Sequence, residues 1–252
     1  MPALALLFFL TAVLYAAVGF GGGSTYNALL VLADTDYRVL PSVALLCNLI
    51  VVSGGVWQYR RSGDLSLSFA LPFVAMSIPL AWLGGRIPIE QDTFVLILGL
   101  SLLAAGIAMW IQPPPRSEGS APPRSPWLTG LPLGGAIGFL SGMVGIGGGI
   151  FLAPVLHLLR LARPKRIAAT SSFFIMVNSI AGLAGQTMKQ GTTIHLERVT
   201  EYVWLFAAVL IGGQIGSRLS TRALSGQAVK RMTALLVLYV EGRLLYSSLN
   251  PS

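Results

Sequence analysis

The stretch GFGGGSTYNALL, residues 19–30, lies between two apolar segments and contains three consecutive glycines. Each glycine destabilises a helix interior by roughly 1 kcal/mol relative to alanine. The stretch therefore predicts that one helix ends and another begins here. The motif recurs as GIGGG at residues 145–149, and further polar and glycine positions recur downstream of both copies. This spacing predicts a chain built by internal duplication.

The composition is that of a membrane protein. Of the 252 residues, 54% are hydrophobic and 10% are charged, and several apolar runs approach the roughly 20 residues that a membrane-crossing helix needs. The net charge of +8 comes from basic residues between apolar segments. There they set the orientation in the bilayer and do not indicate nucleic acid binding. The single cysteine, Cys47, excludes an internal disulfide and a multi-cysteine metal site, and no cofactor is expected.

A proline-rich polar segment, residues 112–127, predicts a cytoplasmic linker between a first membrane repeat at 1–111 and a second at 128–252. Each repeat is predicted to contain five helical elements. In the first repeat they span residues 3–18, 24–33, 39–58, 65–84 and 92–111. In the second they span residues 128–144, 150–161, 167–187, 199–217 and 228–249.

The second element of each repeat is too short to cross a membrane, since ten to twelve residues rise only about 15–18 Å against a core of about 30 Å. The first two elements therefore form either one broken helix or a hairpin that turns at the glycines. The hairpin places 12 Lys and Arg residues on one side and 5 on the other, whereas the broken helix gives 10 and 7. Because cytoplasmic loops are enriched in basic residues, we expect hairpins and hence two inverted repeats in an all-α polytopic fold.

A glycine turn at membrane depth must be buried in protein or line a cavity. Its N–H groups, together with the N-terminus of the helix that follows, predict a binding site for an anion. Polar residues near the turns supply further donors. The predicted substrate-binding residues are Gly21, Gly22, Gly23, Ser24, Thr25, Asn27, Asn48, Gly147, Gly148, Gly149, Thr170, Ser171, Ser172 and Asn178.

Other chemistry has little support in the sequence. Only one of the nine acidic residues, Glu241, lies well inside an apolar segment, so a cation site with an acidic cage is not expected. There is no Walker-type phosphate loop and no nucleophile–base set. We therefore expect neither ATP hydrolysis nor an enzyme.

The second copy, GMVGIGGGIFLAPVL at residues 142–156 followed by RIAATSSFF at 166–174, resembles the TauE/SafE sulfite exporter family, also called the 4-toluene sulfonate uptake permease family. The resemblance covers essentially the whole chain. It implies a multi-pass inner-membrane carrier for sulfite, sulfonates or related small anions. The first copy departs from the pattern, with Asn27 and Ala28 where a proline is expected, and the span count usual in the family disagrees with the hairpin topology.

These observations predict a secondary transporter of small anions, with sulfite or an organosulfonate as substrate and alternating access between the repeats. An anion channel and a transporter of a small carboxylate are the alternatives. The expected partners are the anion and the lipid bilayer. The sequence leaves open the direction of transport, coupling to protons or sodium, and whether the chain forms a homodimer.

Overall fold

The computed structural model describes residues 2–17, 19–110, 126–189 and 201–219, and these residues are helices joined by short turns. The helices are α1 Pro2–Ala17, α2 Gly23–Leu32, α3 Leu40–Arg61, α4 Leu67–Arg86, α5 Gln91–Trp110, α6 Pro126–Val144, α7 Gly149–Leu158, α8 Pro164–Thr187 and α9 Val203–Leu219. The predicted helix at residues 228–249 and most of the predicted linker at 112–127 lie outside the described residues.

The other nine predicted helices are present, with ends that differ from the predicted ends by at most four residues. The prediction was wrong at the end of α7, which stops at Leu158 because Arg160 adopts a left-handed backbone with φ of 49°. It was also wrong at the start of α8, which begins three residues earlier, at Pro164. Proline suits the first turn of a helix because the N–H that it lacks has no intrahelical acceptor there.

Four helices within the described ranges are long and apolar enough to cross a membrane: α3, α4, α6 and α8. The helices α1 and α9 are apolar but shorter. The helices α2 and α7 contain ten residues each, which corresponds to about 15 Å. The prediction that the second element of each half is too short to cross is therefore confirmed.

The two halves of the chain pack reciprocally. The first helix of each half contacts the fourth helix of the other half, so that α1 packs on α9 and α4 packs on α6. Glycines bring the backbones together: Gly142 of α6 faces the Ala81 carbonyl of α4, and Gly216 of α9 faces the Val13 carbonyl of α1. Small residues that recur every four positions along a helix allow two membrane helices to approach this closely.

The centre of the molecule is formed by α3 and α8, which contact each other and pack against the short helices α2 and α7. The first eight residues of α2, Gly23 to Leu30, are all buried. The glycine turns that precede α2 and α7 are buried as well. The packing of the four long helices therefore places both turns in the protein interior.

Candidate functional site

The first glycine motif ends α1 and begins α2. Gly19 adopts a left-handed conformation with φ of 80°, and the next N–H, that of Phe20, donates to the Tyr15 carbonyl at 2.9 Å. This is the usual way in which a glycine terminates a helix. Gly22 is also left-handed, with φ of 88°, and immediately precedes α2. The glycines that disfavour one continuous helix therefore form the end of α1 and the start of α2.

The second motif repeats this arrangement between α6 and α7. Gly145 has a φ of 77° and its N–H donates to the Ser141 carbonyl at 2.8 Å. Gly148 precedes α7 with a φ of 78°. The two copies of the sequence motif therefore end and begin their helices in the same way, although Gly147 of the second copy is also left-handed, with φ of 82°, and its counterpart Gly21 is not.

Both turns fold back onto the helix that precedes them. The ring of Tyr26 in α2 stacks on Phe8 of α1 with 4.7 Å between ring centroids. A Cβ atom on Gly148 would lie 2.9 Å from Ile137 of α6. Phe8 lies three turns of helix before the first motif, so α2 reverses towards α1 and does not continue in its direction.

The two turns meet at a single side chain, Asn48 of α3. Its Oδ1 accepts a hydrogen bond from the Gly23 N–H at 2.8 Å, and its Nδ2 donates to the Ile146 carbonyl at 3.0 Å. Asn48 is fully buried. A second link comes from Asn27, whose Nδ2 donates to the Val144 carbonyl at 2.8 Å. The structure therefore brings the predicted residues Asn27 and Asn48 together at the junction of the two halves.

The glycines at the junction are closely packed. A Cβ atom on Gly21 or Gly23 would collide with the Asn48 side chain, and one on Gly147 would lie 2.6 Å from Asn48 Nδ2. On Gly149 it would collide with Ile175 of α8. Glycine is thus required here for close approach between the turns as well as for helix termination.

Most of the side chains predicted as donors near the first turn already have protein partners. The hydroxyls of Thr25 and Tyr15 share a hydrogen bond at 2.7 Å. Ser172 of α8 donates to the Gly19 carbonyl at 2.6 Å. The Tyr26 hydroxyl is buried and has no partner among the described residues, while Ser24 is buried beside the turn.

The second turn is surrounded differently. The residues after its glycines are apolar. Four buried hydroxyls of α6 and α8 have no hydrogen-bond partner among the described residues, namely those of Ser141, Thr170, Ser171 and Ser179, and the side chains of Ser141 and Ser179 lie against this turn. An unpaired buried hydroxyl destabilises a protein by about 1–3 kcal/mol, so a set of four needs an explanation. Sequence reasoning missed Ser141 and Ser179. The recurrence of Ser171, Ile175 and Ser179 at four-residue intervals could have identified Ser179.

Asn178 is not equivalent to Asn48, although both are buried asparagines on matching helices. Its Nδ2 donates to the Phe174 carbonyl within α8 at 2.9 Å, and its Oδ1 has no partner within the described ranges. Asn178 therefore forms no side-chain link between the turns in this part of the chain.

The site is electrically neutral in its side chains. In the part of the chain that the structure describes, no Asp, Glu, Lys or Arg is buried, whereas Asn, Ser and Thr side chains are. Neutral N–H and O–H groups, with the positive end of a helix dipole, can bind an anion without a buried cation. A desolvated metal ion would instead require carboxylate, imidazole or thiolate ligands.

Several apolar helices, four of them long enough to span, and a polar interior around two buried glycine turns define a multi-pass α-helical membrane protein. The chain belongs to the TauE/SafE sulfite exporter family, whose model matches residues 4–244. The resemblance of the glycine motifs to this family is thereby confirmed.

Two relatives show how far the similarity extends. The probable membrane transporter protein y4hK of Sinorhizobium fredii is 31% identical over 245 residues, which cover 96% of this chain and 97% of that protein. The probable membrane transporter protein YunE of Bacillus subtilis is 23% identical over 252 aligned positions, which cover 88% of this chain and 89% of that protein. No solved structure matches the chain significantly.

Proposed function

We propose that the protein is a secondary transporter of small anions, with sulfite or an organosulfonate as substrate. The observation that carries this proposal is the junction of two buried glycine turns, joined by Asn48 and surrounded by buried hydroxyls that have no partner within the described residues. Such a site offers N–H and O–H donors and no buried charge. These are the groups that a small oxyanion requires.

The proposed mechanism is alternating access between two inverted repeats. The reciprocal packing of α1 on α9 and α4 on α6 supports it, because two halves that use the same contacts can exchange conformations around a central site. The backward fold of α2 supports hairpins over broken helices.

The remaining features of the proposal concern the cellular setting. We place the carrier in the cell inner membrane, with the exposed apolar side chains of α4 and α5 facing lipid. A proton or sodium ion supplies the coupling, and the carrier works as a monomer or a homodimer. All fourteen residues predicted from the sequence stay in the proposal, some in the site and others in its support, and Asn48 and Ser172 are among the supporting residues.

Flux measurements in proteoliposomes test the proposal. The purified chain is reconstituted, and entry of sulfite, methanesulfonate, acetate and chloride is followed over a range of concentrations. A carrier gives flux that saturates with sulfite or methanesulfonate. Flux that rises linearly with concentration, or is carried by chloride as a current, would identify an anion channel, and saturation by acetate alone would identify a carboxylate transporter.

A further inference from the structure

The two glycine turns differ in whether their hydrogen-bonding groups are already used. At the first turn the Gly23 N–H is bonded to Asn48, and the Thr25 hydroxyl is bonded to Tyr15. At the second turn the N–H groups of Gly147, Gly148 and Gly149 meet no acceptor within the described residues, whereas at the first turn this holds only for the N–H groups of Gly21 and Gly22. The N–H of Gly149 corresponds by sequence to that of Gly23, so the same group is occupied in one copy and free in the other.

Hydroxyls without partners lie against this second turn. Ser179 Oγ is 3.2 Å from the position that a Cβ atom on Gly147 would occupy, and Ser141 Cβ is 3.3 Å from the corresponding position on Gly148. Both serines are fully buried, and neither hydroxyl has a partner in the described part of the chain. The N-terminus of α7 is therefore flanked by two buried serines, Ser141 of α6 and Ser179 of α8.

We propose that the anion binds at the second turn alone, held by the N–H groups at the start of α7 and by the hydroxyls of Ser141 and Ser179. This proposal rests on the anion transport proposed above. It defines a one-sided site, in which the anion binds at one of the two turns and not between them. The first turn does not bind the anion. Through Asn48, which holds the Ile146 carbonyl at 3.0 Å, it positions the backbone of the second turn.

The arrangement also specifies a class of ligand. Serine hydroxyls donate and accept hydrogen bonds, and backbone N–H groups only donate. A compact oxyanion with several oxygens on one centre, such as sulfite or the head group of a sulfonate, can receive these converging donors at once. A halide accepts all its hydrogen bonds at one atom, whereas an oxyanion spreads them over several oxygens, so donors spaced around the turn favour the oxyanion.

Serine-to-alanine variants of the full chain in detergent provide the test. Ser141→Ala and Ser179→Ala each remove one oxygen atom that has no hydrogen-bond partner among the described residues, so the melting temperature without anion stays unchanged or rises. The dissociation constant for sulfite, from titrations followed by thermal shift, rises roughly 3- to 10-fold for each variant. Tyr26→Phe is the matched control, because it removes an unpartnered buried hydroxyl at the first turn. It leaves sulfite binding unchanged.

Three results would overturn the one-sided site. In the first, sulfite stabilises the wild type, Tyr26→Phe weakens sulfite binding, and neither serine variant weakens it. The protein then binds the anion, but not at the second turn. In the second, the serine variants melt at clearly lower temperature without anion, which assigns the hydroxyls a structural role. In the third, neither sulfite nor methanesulfonate stabilises the wild type beyond sodium chloride of equal ionic strength, and the proposed transport of these anions fails as well.

Discussion

Asn48 Oδ1 accepts a hydrogen bond from the Gly23 N–H at 2.8 Å, at the point where the two halves of the chain meet. The same amide donates to the Ile146 carbonyl, so one buried side chain satisfies a backbone group from each turn. Buried backbone groups without partners are costly. Asn48 thereby couples the stability of the first turn to that of the second.

Replacing Asn48 with alanine is expected to destabilise the protein. The change leaves the Gly23 N–H and the Ile146 carbonyl buried without this partner, at about 1–3 kcal/mol each. The apparent free energy of unfolding, from denaturation in mixed micelles, measures the loss. Asn178→Ala is the matched control. It should lower the free energy of unfolding less, since within the described residues Asn178 bonds a carbonyl of its own helix and no other group. Equal losses for the two variants would contradict the assigned role of Asn48.

Gly22→Ala should destabilise the first turn. A left-handed backbone costs a residue with a Cβ atom roughly 1–2 kcal/mol, and at Gly22 that atom would also lie 3.0 Å from the Tyr26 ring. Gly63 is the control because it has a similar φ of 77° with no atom within 4 Å of its Cβ position. Both variants should melt at lower temperature, and Gly22→Ala should show the larger decrease. A larger decrease for Gly63→Ala would mean that the first turn tolerates the new side chain.

Gly142→Ala should separate α6 from α4. A Cβ atom at this position would collide with the Ala81 carbonyl, so the two backbones must move apart. Gly99 in α5 is the control, because a Cβ atom there would have no neighbour within 4 Å. Gly99→Ala should leave stability unchanged or increase it by up to roughly 1 kcal/mol, because alanine favours the helix more than glycine does. Thermal unfolding of both variants checks the pair. Unchanged stability of Gly142→Ala would show that this close contact does not limit packing.

Cysteine labelling tests the hairpin topology. The native Cys47 is fully buried, so added cysteines can be labelled against a low background. In the hairpin topology Pro2→Cys and Asp36→Cys react from the same, outer side of the membrane, whereas Ser62→Cys reacts from the inside. With a broken helix, Pro2→Cys and Asp36→Cys would react from opposite sides. Reaction of Asp36→Cys from inside and Ser62→Cys from outside would refute the orientation inferred from charge.

Anion binding should raise the melting temperature of the wild type. A ligand that binds only the folded protein stabilises it by about 2.7 kcal/mol at a concentration 100 times its dissociation constant. Sulfite and methanesulfonate should therefore raise the melting temperature as their concentration increases. Well above the dissociation constant, the increase should be proportional to the logarithm of the anion concentration. Sodium chloride at equal ionic strength is the control. A shift of the same size with chloride would indicate a general salt effect in place of a specific site.

The helices were predictable because membrane helices carry local signals. Apolar runs such as residues 94–108 identify the helices, and glycine or proline residues mark where they end. The errors lie at helix ends, and one of them, the start of α8 at Pro164, carried a proline signal that the prediction did not use. Arg160 adopts a left-handed backbone that is uncommon for a side chain of its type, so the early end of α7 was not apparent from the sequence.

The candidate site was only partly predictable. The glycines, Asn27 and Asn48 attract attention because polar residues are rare in apolar segments. Ser141 and Ser179 look ordinary, since serine is common in membrane helices and often bonds to its own backbone. Only the structure shows that these two hydroxyls lack a partner among the described residues and lie beside the second turn.

The sequence by itself determined the all-helical class, the nine helices in the described region, the duplicated glycine turns and the resemblance to the family. These properties depend on composition and on residues close together in the chain. The tertiary structure alone decided which groups meet. Asn48 and Ile146 are 98 positions apart, and Ser172 reaches Gly19 across 153. Such pairs form through packing between the two halves, and no local pattern in either half specifies that packing.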